Sequence, residues 1–244
     1  TMIENEDTIP LDSKKLLRQN EKLASDGYRV IALADGIVSK KKNYGEKDIQ
    51  KLTFQGLVGF IDPVREEVKE SIQKCSEAGI KVLMITGDHP LTAYSIAKEL
   101  HLVSAWEEVA TGDEISEYLK KGEKAFDQFI QKKRVFTRVT PLDKLEIVNS
   151  LKRQGEFVAV TGDGVNDAPA IRSANIGIAM GSGTDVAKET ASMIIIDDNF
   201  QSIVAGIKEG RCAYSNIRKV CYMLLSCGVA EVLFFVLSII FDLP

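Results

Sequence analysis

Cysteine is sparse and unpatterned: Cys75, Cys212, Cys221 and Cys227 form no CxxC pair, and the two nearest lie in an apolar run. That excludes a disulfide framework or a zinc site as the organising device. An excess of one charge is also missing, because 31 basic side chains stand against 35 acidic ones for a formal net charge of -4. The signs are interspersed, so no basic field exists for a phosphate backbone and no nucleic-acid partner is expected. Residues 1–9 lack both a positive n-region and an apolar h-region, so they do not read as a secretory signal, and the chain is expected to begin inside a domain. Internal repeats and low-complexity tracts are absent. What remains, 244 residues of which 45% are hydrophobic and 27% charged, suits one large or two small globular units.

Hydrophobicity is unevenly placed. Val220 to Phe241 reads VCYMLLSCGVAEVLFFVLSIIF and carries a single charge, Glu231. That length suits a membrane span, which takes about 20 apolar residues. Arg211, Arg218 and Lys219 precede it and Asp242 follows, so the basic bias puts the residues before about 220 in the cytoplasm. Upstream, β-rich runs alternate with helical patterns. A helix over Leu11–Ser25 leads to a strand over Tyr28–Ala34, a charged loop over Ser39–Lys51 and an apolar run over Phe54–Ile61. Pro63 suits the first turn of a helix carrying Val68, Ile72 and Cys75 on one stripe, ended by Gly79. Strands follow at Ile80–Thr86, Val135–Thr137 and Phe157–Thr161, then at IGIAM and MIIID, with helices from Leu91, Pro141, Asp167, Asp185 and Phe200. The pattern of Val103–Lys133 assigns no element. Continuous apolar strands between helices predict a parallel α/β sheet, doubly wound and covered on both faces.

In such a sheet, ligands bind beyond the carboxyl ends of the strands. Two strands end alike, VLMITGD (Val82–Asp88) and VAVTGDGVND (Val158–Asp167). Each offers a threonine hydroxyl, a glycine that lets backbone approach a ligand, and an aspartate; such groups suit phosphate oxygens. One TGD alone reads better as an ordinary Gly/Asp turn. The second loop adds Asp163 and Asp167 on glycine-permitted turns, and paired hard carboxylates suit Mg²⁺ completed by phosphate and water. Lys144, in the first turn after Pro141, points at the same crevice, where a compact ammonium neutralises a phosphoryl group. On these residues alone the crevice suits either phosphoryl transfer or nucleotide binding without chemistry.

Four segments together resemble the P-type cation-transporting ATPases, closest to the type II pumps that include calcium pumps: IDPVREEV (Ile61–Val68), MITGDHPLTAYSIA (Met84–Ala97), the run from Thr161 to Phe200, and the membrane entry after it. The likeness covers roughly Tyr28 to the end. It implies a haloacid-dehalogenase-like Rossmannoid parallel sheet with helices on both faces, followed by a transmembrane helix. It also implies ATP as substrate, Mg²⁺ as cofactor, a transported cation (Ca²⁺ by this reading), the lipid bilayer and the rest of a pump chain as partners. By resemblance, Thr86, Gly87 and Asp88 hold the phosphoryl group and Lys144 neutralises it. Asp163 ligates Mg²⁺ with Asp167 orienting the metal shell, Asn166 reaches the nucleotide or the phosphoryl group, and Arg29 and Arg138 reach the nucleotide. Asp62, Pro63 and Arg65 match the hinge returning from the nucleotide-binding domain. The implied division is 1–60 for the end of that domain, 61–205 for the phosphorylation domain, 206–219 for a stalk helix and 220–241 for the span. In the span, SCGVAEV (Ser226–Val232) is similar to the family's fifth membrane helix, with Glu231 on the cation-ligating glutamate.

The departures are specific. The family's nucleophile, the aspartate of a DKTGT motif, is absent from the 244 residues, so the expected sheet lacks its nucleophile strand. ADGIV (Ala34–Val38) has neither the lysine nor the threonine of that motif and is no substitute. Val64 replaces the second proline of the hinge, and Gly228 stands where calcium pumps of animal reticulum carry an asparagine ligand. Without a nucleophile no aspartyl-phosphate forms on these residues alone. Two expectations follow: a later portion of an ATP-driven pump, or a non-catalytic membrane-anchored remnant or split subunit of one.

Overall fold

The computed structural model describes residues 2–4, 7–9, 11–37, 45, 52–61 and 63–241. The charged stretch Ser39–Lys51, apart from Gly45, lies outside them, as does the hinge residue Asp62. The chain divides into two compact units, Thr1–Asp198 and Asn199–Pro244.

The first unit opens with a mixed four-stranded sheet. Strands β1 (Met2–Glu4) and β2 (Asp7–Ile9) pair antiparallel, and helix α1 (Ser13–Ser25) follows, capped by Asp12, whose carboxylate accepts from the Lys14 and Lys15 amides at 3.1 Å. Strands β3 (Arg29–Asp35) and β4 (Thr53–Phe60) are antiparallel and place Arg29 opposite Phe60; the order across the sheet is β2–β1–β4–β3. Helix α2 (Glu66–Glu77) begins three residues after Pro63 instead of at it. Arg65 is still extended, and Glu66 and Glu67 supply the first-turn charge that the helix dipole favours. Gly79, at φ +75, closes α2 in a left-handed cap, as expected.

Next come strand β5 (Met84–Ile85), helix α3 (Pro90–Glu99), strand β6 (Val109–Thr111), helices α4 (Gly112–Lys120) and α5 (Glu123–Gln131), strand β7 (Val135–Thr137) and helix α6 (Pro141–Arg153). Together β5–β7–β6 form a parallel sheet with β7 at its centre. Strand periodicity sends Val135 to one face, against Ala93 and Ala97 of α3, and Phe136 to the other, against Ile115, Phe126, Ile130 and Ile147 of α4 to α6. Both faces are therefore covered, which is why this short strand is apolar apart from Thr137, whose hydroxyl is paired. Strand β8 (Ala159–Gly162), helix α7 (Ala168–Ser173), strand β9 (Ile176–Met180), helix α8 (Asp185–Thr190) and strand β10 (Met193–Ile195) complete the unit, with β10–β9–β8 a second parallel sheet.

The expected parallel α/β arrangement is present, as two three-stranded sheets instead of one continuous sheet. Among the described residues β5 and β8 each pair on one edge alone, with β7 and β9. That explains why β5 is shorter than the predicted Ile80–Thr86: an edge strand bonded on one side holds regular geometry only where β7 faces it. The second unit is helix α9 (Phe200–Ile240), one unbroken helix of 41 residues started by the Asn199 carboxamide. It is the one helix among the described residues long and apolar enough to cross a membrane, and it joins the predicted stalk and span without a break.

Candidate functional site

The three-residue strand β7 delivers the chain to Thr140, and a capping box then fixes the start of α6. Thr140 Oγ1 accepts from the Asp143 amide at 3.2 Å, while Asp143 Oδ2 accepts from the Thr140 amide and hydroxyl, both at 2.8 Å. With Pro141 pre-set for the first helical position, Lys144 is held three residues further on, next to the Asp143 cap partner, and its direction is settled. Its ammonium meets Asp167 Oδ1 at 2.5 Å, with the two side chains 18% and 15% exposed.

Asp167 arrives from the loop after β8. Its other oxygen accepts from the Gly164 amide at 3.2 Å, folding the GDGVND segment back on itself through a 3-10 turn at Val165–Asp167. Gly162 makes this possible: a β-carbon there would sit 2.5 Å from Asp167 Cβ and 2.8 Å from its carboxyl carbon. Asp163 is placed by its backbone, whose carbonyl accepts from the Thr184 amide at 2.7 Å; Gly183 packs so close to that carbonyl that a β-carbon would approach it to 2.9 Å. Its side chain is exposed, as is that of Asn166.

The loop after β5 forms a second turn. Thr86 Oγ1 donates to Asp88 Oδ2 at 2.8 Å and accepts from the Asp88 amide at 3.1 Å, so hydroxyl and carboxylate lock each other. Backbone bonds tie this turn to β7: the Thr86 amide donates to the Phe136 carbonyl at 2.9 Å and the Thr86 carbonyl accepts from the Val139 amide at 3.4 Å. Between those two partners Arg138 is left-handed, at φ 51, with its side chain exposed. Gly112, the first residue of α4, has no room for a β-carbon against the Arg138 carbonyl, which pins this arginine's backbone.

The structure thus brings Thr86 with Asp88, and Lys144 with Asp167, and links the two pairs through Val139, Thr140 and the α6 start. Gly87 is exposed at the tip of the first turn. Arg29 lies in β3 of the mixed sheet, next to Tyr28, whose carbonyl accepts from Thr92 Oγ1 of α3 at 3.3 Å. Glu231 lies in α9, in the other unit. No group of three or more His, Cys, Asp or Glu side chains able to hold a metal occurs among the described residues. The donor set nonetheless fits Mg²⁺, which takes one or two carboxylates and fills its octahedron with phosphate and water. Asp163 offers a free-facing carboxylate, whereas both oxygens of Asp167 are already engaged and suit an orienting role.

Three contributors are not among the residues singled out from the sequence, although two of them carry a local signal. The Thr140–Asp143 box was visible as T-x-x-D before an apolar run. Gly183 and Thr184 support Asp163 from across the β9–α8 loop, a contact that only folding creates. His89 begins α3: its Nδ1 accepts from the Leu91 amide at 3.3 Å, a signal readable in the His-Pro pair that follows the TGD. Partial burial and the nearby Arg138 guanidinium hold this imidazole below its ordinary pKa, against a smaller opposing pull from Glu21.

The family described as haloacid dehalogenase-like hydrolase matches residues 4–175. A calcium-transporting ATPase of Bacillus subtilis (strain 168) is 44% identical over 224 residues, 91% of this chain and 25% of that protein. The calcium-transporting ATPase type 2C member 2 of Homo sapiens is 42% identical over 229 residues, 93% of this chain and 23% of that protein. A sodium/potassium-transporting ATPase subunit alpha-A of Artemia franciscana is 44% identical over 222 residues, 80% of this chain and 22% of that protein. The chain spans about a quarter of the length of these relatives. With a parallel α/β unit whose acidic, glycine-rich turns stand at the carboxyl ends of β5 and β8, and with homologues that are cation-transporting ATPases over most of its length, the chain belongs to the haloacid dehalogenase-like hydrolases.

Proposed function

We propose that this chain is the later portion of an ATP-driven cation pump which, complete, forms and hydrolyses an aspartyl-phosphate. The observation that carries the reading is the Lys144–Asp167 pair at 2.5 Å. It sets an ammonium beside the carboxylate loop, at the strand ends where phosphate binds. In this reading Thr86, Gly87 and Asp88 receive the phosphoryl oxygens, Lys144 balances the charge that develops as the group transfers, and Asp163 ligates Mg²⁺ with Asp167 orienting the ion's water shell. When bound, Mg²⁺ would supply neutralisation of phosphate charge. Asn166, Arg138 and Arg29 face the nucleotide. The nucleophilic aspartate comes from a strand outside these residues, and the singly paired edges of β5 and β8 suit its insertion.

Residues 1–60 end a nucleotide-binding domain, 61–205 form the phosphorylation domain, 206–219 a stalk and 220–241 the span, with everything before about 220 cytoplasmic. Glu231 ligates the transported cation, because an ionisable side chain in a span opposes insertion by at least about 2.5 kcal/mol unless it is paired or functional. The calcium-transporting relatives favour Ca²⁺ as that cation.

Phosphorylation of the full natural polypeptide by radiolabelled ATP tests this. Asp163→Asn should abolish Mg²⁺-dependent phosphoenzyme and leave cation binding intact; a wild-type rate would remove Asp163 from the metal. Glu231→Gln should weaken the cation dependence with near-normal nucleotide binding. If activation by Ca²⁺ is unchanged, Glu231 is not at the transport site.

A further inference from the structure

His89 sits immediately after the Thr86–Asp88 turn, with no role assigned to it by the chemistry above. It is the N-cap of a ten-residue helix, extended at φ -64 and ψ 139, and half-buried. Its Nδ1 accepts from the Leu91 amide. A neutral imidazole has one acceptor nitrogen and one donor nitrogen, whereas the imidazolium has two donors and no acceptor. The cap therefore exists in one protonation state and one tautomer, with the proton on Nε2. Adding a proton sets Nδ1–H against Leu91 N–H, and it also places a cation at the positive end of the helix dipole.

We infer that His89 is a positioning residue: its neutral imidazole holds the first turn of α3, and with it the adjoining Thr86–Asp88 turn, so that phosphoryl handling at this site fails in mild acid. The inference rests on the function proposed above. Two restraints already tie the Thr86 turn to β7 through backbone bonds at Phe136 and Val139. The cap is the restraint on its other side, because the chain passes from Asp88 directly into His89 and Pro90. Thr92, three residues into α3, extends the link by bonding the Tyr28 carbonyl.

The charged groups that reach the ring are Arg138 from the β7–α6 loop and Glu21 from α1. Asp88, its chain neighbour, is turned towards Thr86. Burial and Arg138 oppose the imidazolium, and Glu21 favours it less strongly. The sign follows: the cap is fully formed above the ordinary histidine value of about 6.5 and is lost as pH falls through the lower folded value.

The test compares wild type, His89→Asn and His89→Ala in the full natural polypeptide, reading phosphoenzyme formed from inorganic phosphate and Mg²⁺ between pH 5 and 8. Asparagine is a strong N-cap that does not titrate; alanine caps nothing. At pH 7.5 the asparagine variant should match wild type within about twofold and the alanine variant should fall about fivefold, the usual worth of a cap. As pH falls towards 5 wild type should decline towards the level of the alanine variant while the asparagine variant holds. An asparagine variant that keeps the wild-type acid limb, or an alanine variant indistinguishable from wild type at pH 7.5, overturns the inference. A readout independent of turnover is the imidazole ¹⁵N spectrum, in which the resonance missing from His89→Asn must report an unprotonated Nδ1 at pH 7.5. A protonated Nδ1 there overturns the assignment whatever the activity. If instead Asp163→Asn leaves phosphorylation intact, the proposed metal site fails while the ¹⁵N result still judges His89.

Discussion

Gly162 has no room for a β-carbon, and the obstacle is Asp167, the side chain paired with Lys144. In Gly162→Ala the new methyl would lie 2.5 Å from Asp167 Cβ, 2.8 Å from Cγ and 3.0 Å from Oδ2. The backbone at 162 is not left-handed, so alanine adds no φ strain and the effect is steric alone. Asp167 cannot yield cheaply, because one oxygen is held by Lys144 at 2.5 Å and the other by the Gly164 amide at 3.2 Å. Overpacking of this kind costs about 1–3 kcal/mol, and disturbing a mostly buried ion pair adds to it, for about 2–4 kcal/mol in all. The single tryptophan, Trp106, packs edge-on against Tyr94 of α3 at 5.2 Å between ring centroids and reports unfolding of the first unit by fluorescence. With a urea slope of about 2 kcal/mol/M, the midpoint should fall by about 1–2 M. The decisive measurement is a cycle with Asp167→Gly, which removes the opposing β-carbon and carboxylate together. In that background Gly162→Ala should be nearly silent. Equal losses in the two backgrounds would refute the steric argument and with it the claim that Gly162 seats Asp167.

Other perturbations separate the scaffold from the site. Asp127 joins α5 to α6, accepting from Arg153 Nη2 at 2.7 Å and Ser150 Oγ at 2.6 Å. The Arg153 guanidinium, with help from the Ser150 hydroxyl, holds its carboxyl below the usual carboxylate range. A depressed carboxylate stabilises above its ordinary value of about 3.9 and loses that contribution as pH falls through the folded value. Asp127→Asn should therefore destabilise by about 1–2 kcal/mol at pH 7, discounted for partial exposure, and by less as pH is lowered below about 4 in thermal scans. A pH-independent difference would contradict this. Gly112→Ala must push the Arg138 carbonyl aside, so the loop after β7 should shift and stability drop by about 1–3 kcal/mol. Amide exchange at Val139 should rise with it, and an unchanged rate would mean the loop is not pinned there.

How far the sequence could be read differed by element, for physical reasons. Strand β7 was legible because both its faces are buried and every residue is apolar or paired, as when the 0%-exposed Thr137 donates to the Ala110 carbonyl. Val103–Lys133 was not legible, because its three-residue strand and two nine-residue helices are each shorter than the window in which periodicity emerges. In the site, Lys144 and Asp167 were found from motif position, and the capping box that aims the lysine was present in the letters TPLD. The contact of Gly183 and Thr184 with Asp163 joins residues about twenty apart through the β8–β9 crossover, so local pattern carries no trace of it. The predicted start of α2 at Pro63 was early because a proline tolerates a first turn without requiring one.

Helix α9 has a mechanical consequence. At 1.5 Å per residue its 41 residues make a rod about 60 Å long, roughly twice the hydrocarbon thickness of a bilayer. Glu231 lies about 47 Å from the Phe200 end, with no proline in between to act as a joint. Turning the rod about its axis by a third of a revolution would aim Glu231 at different surroundings, and sliding it by one turn would carry the carboxylate about 5 Å in depth. A push or twist applied to the polar end is therefore delivered undiluted to the one charge in the apolar half.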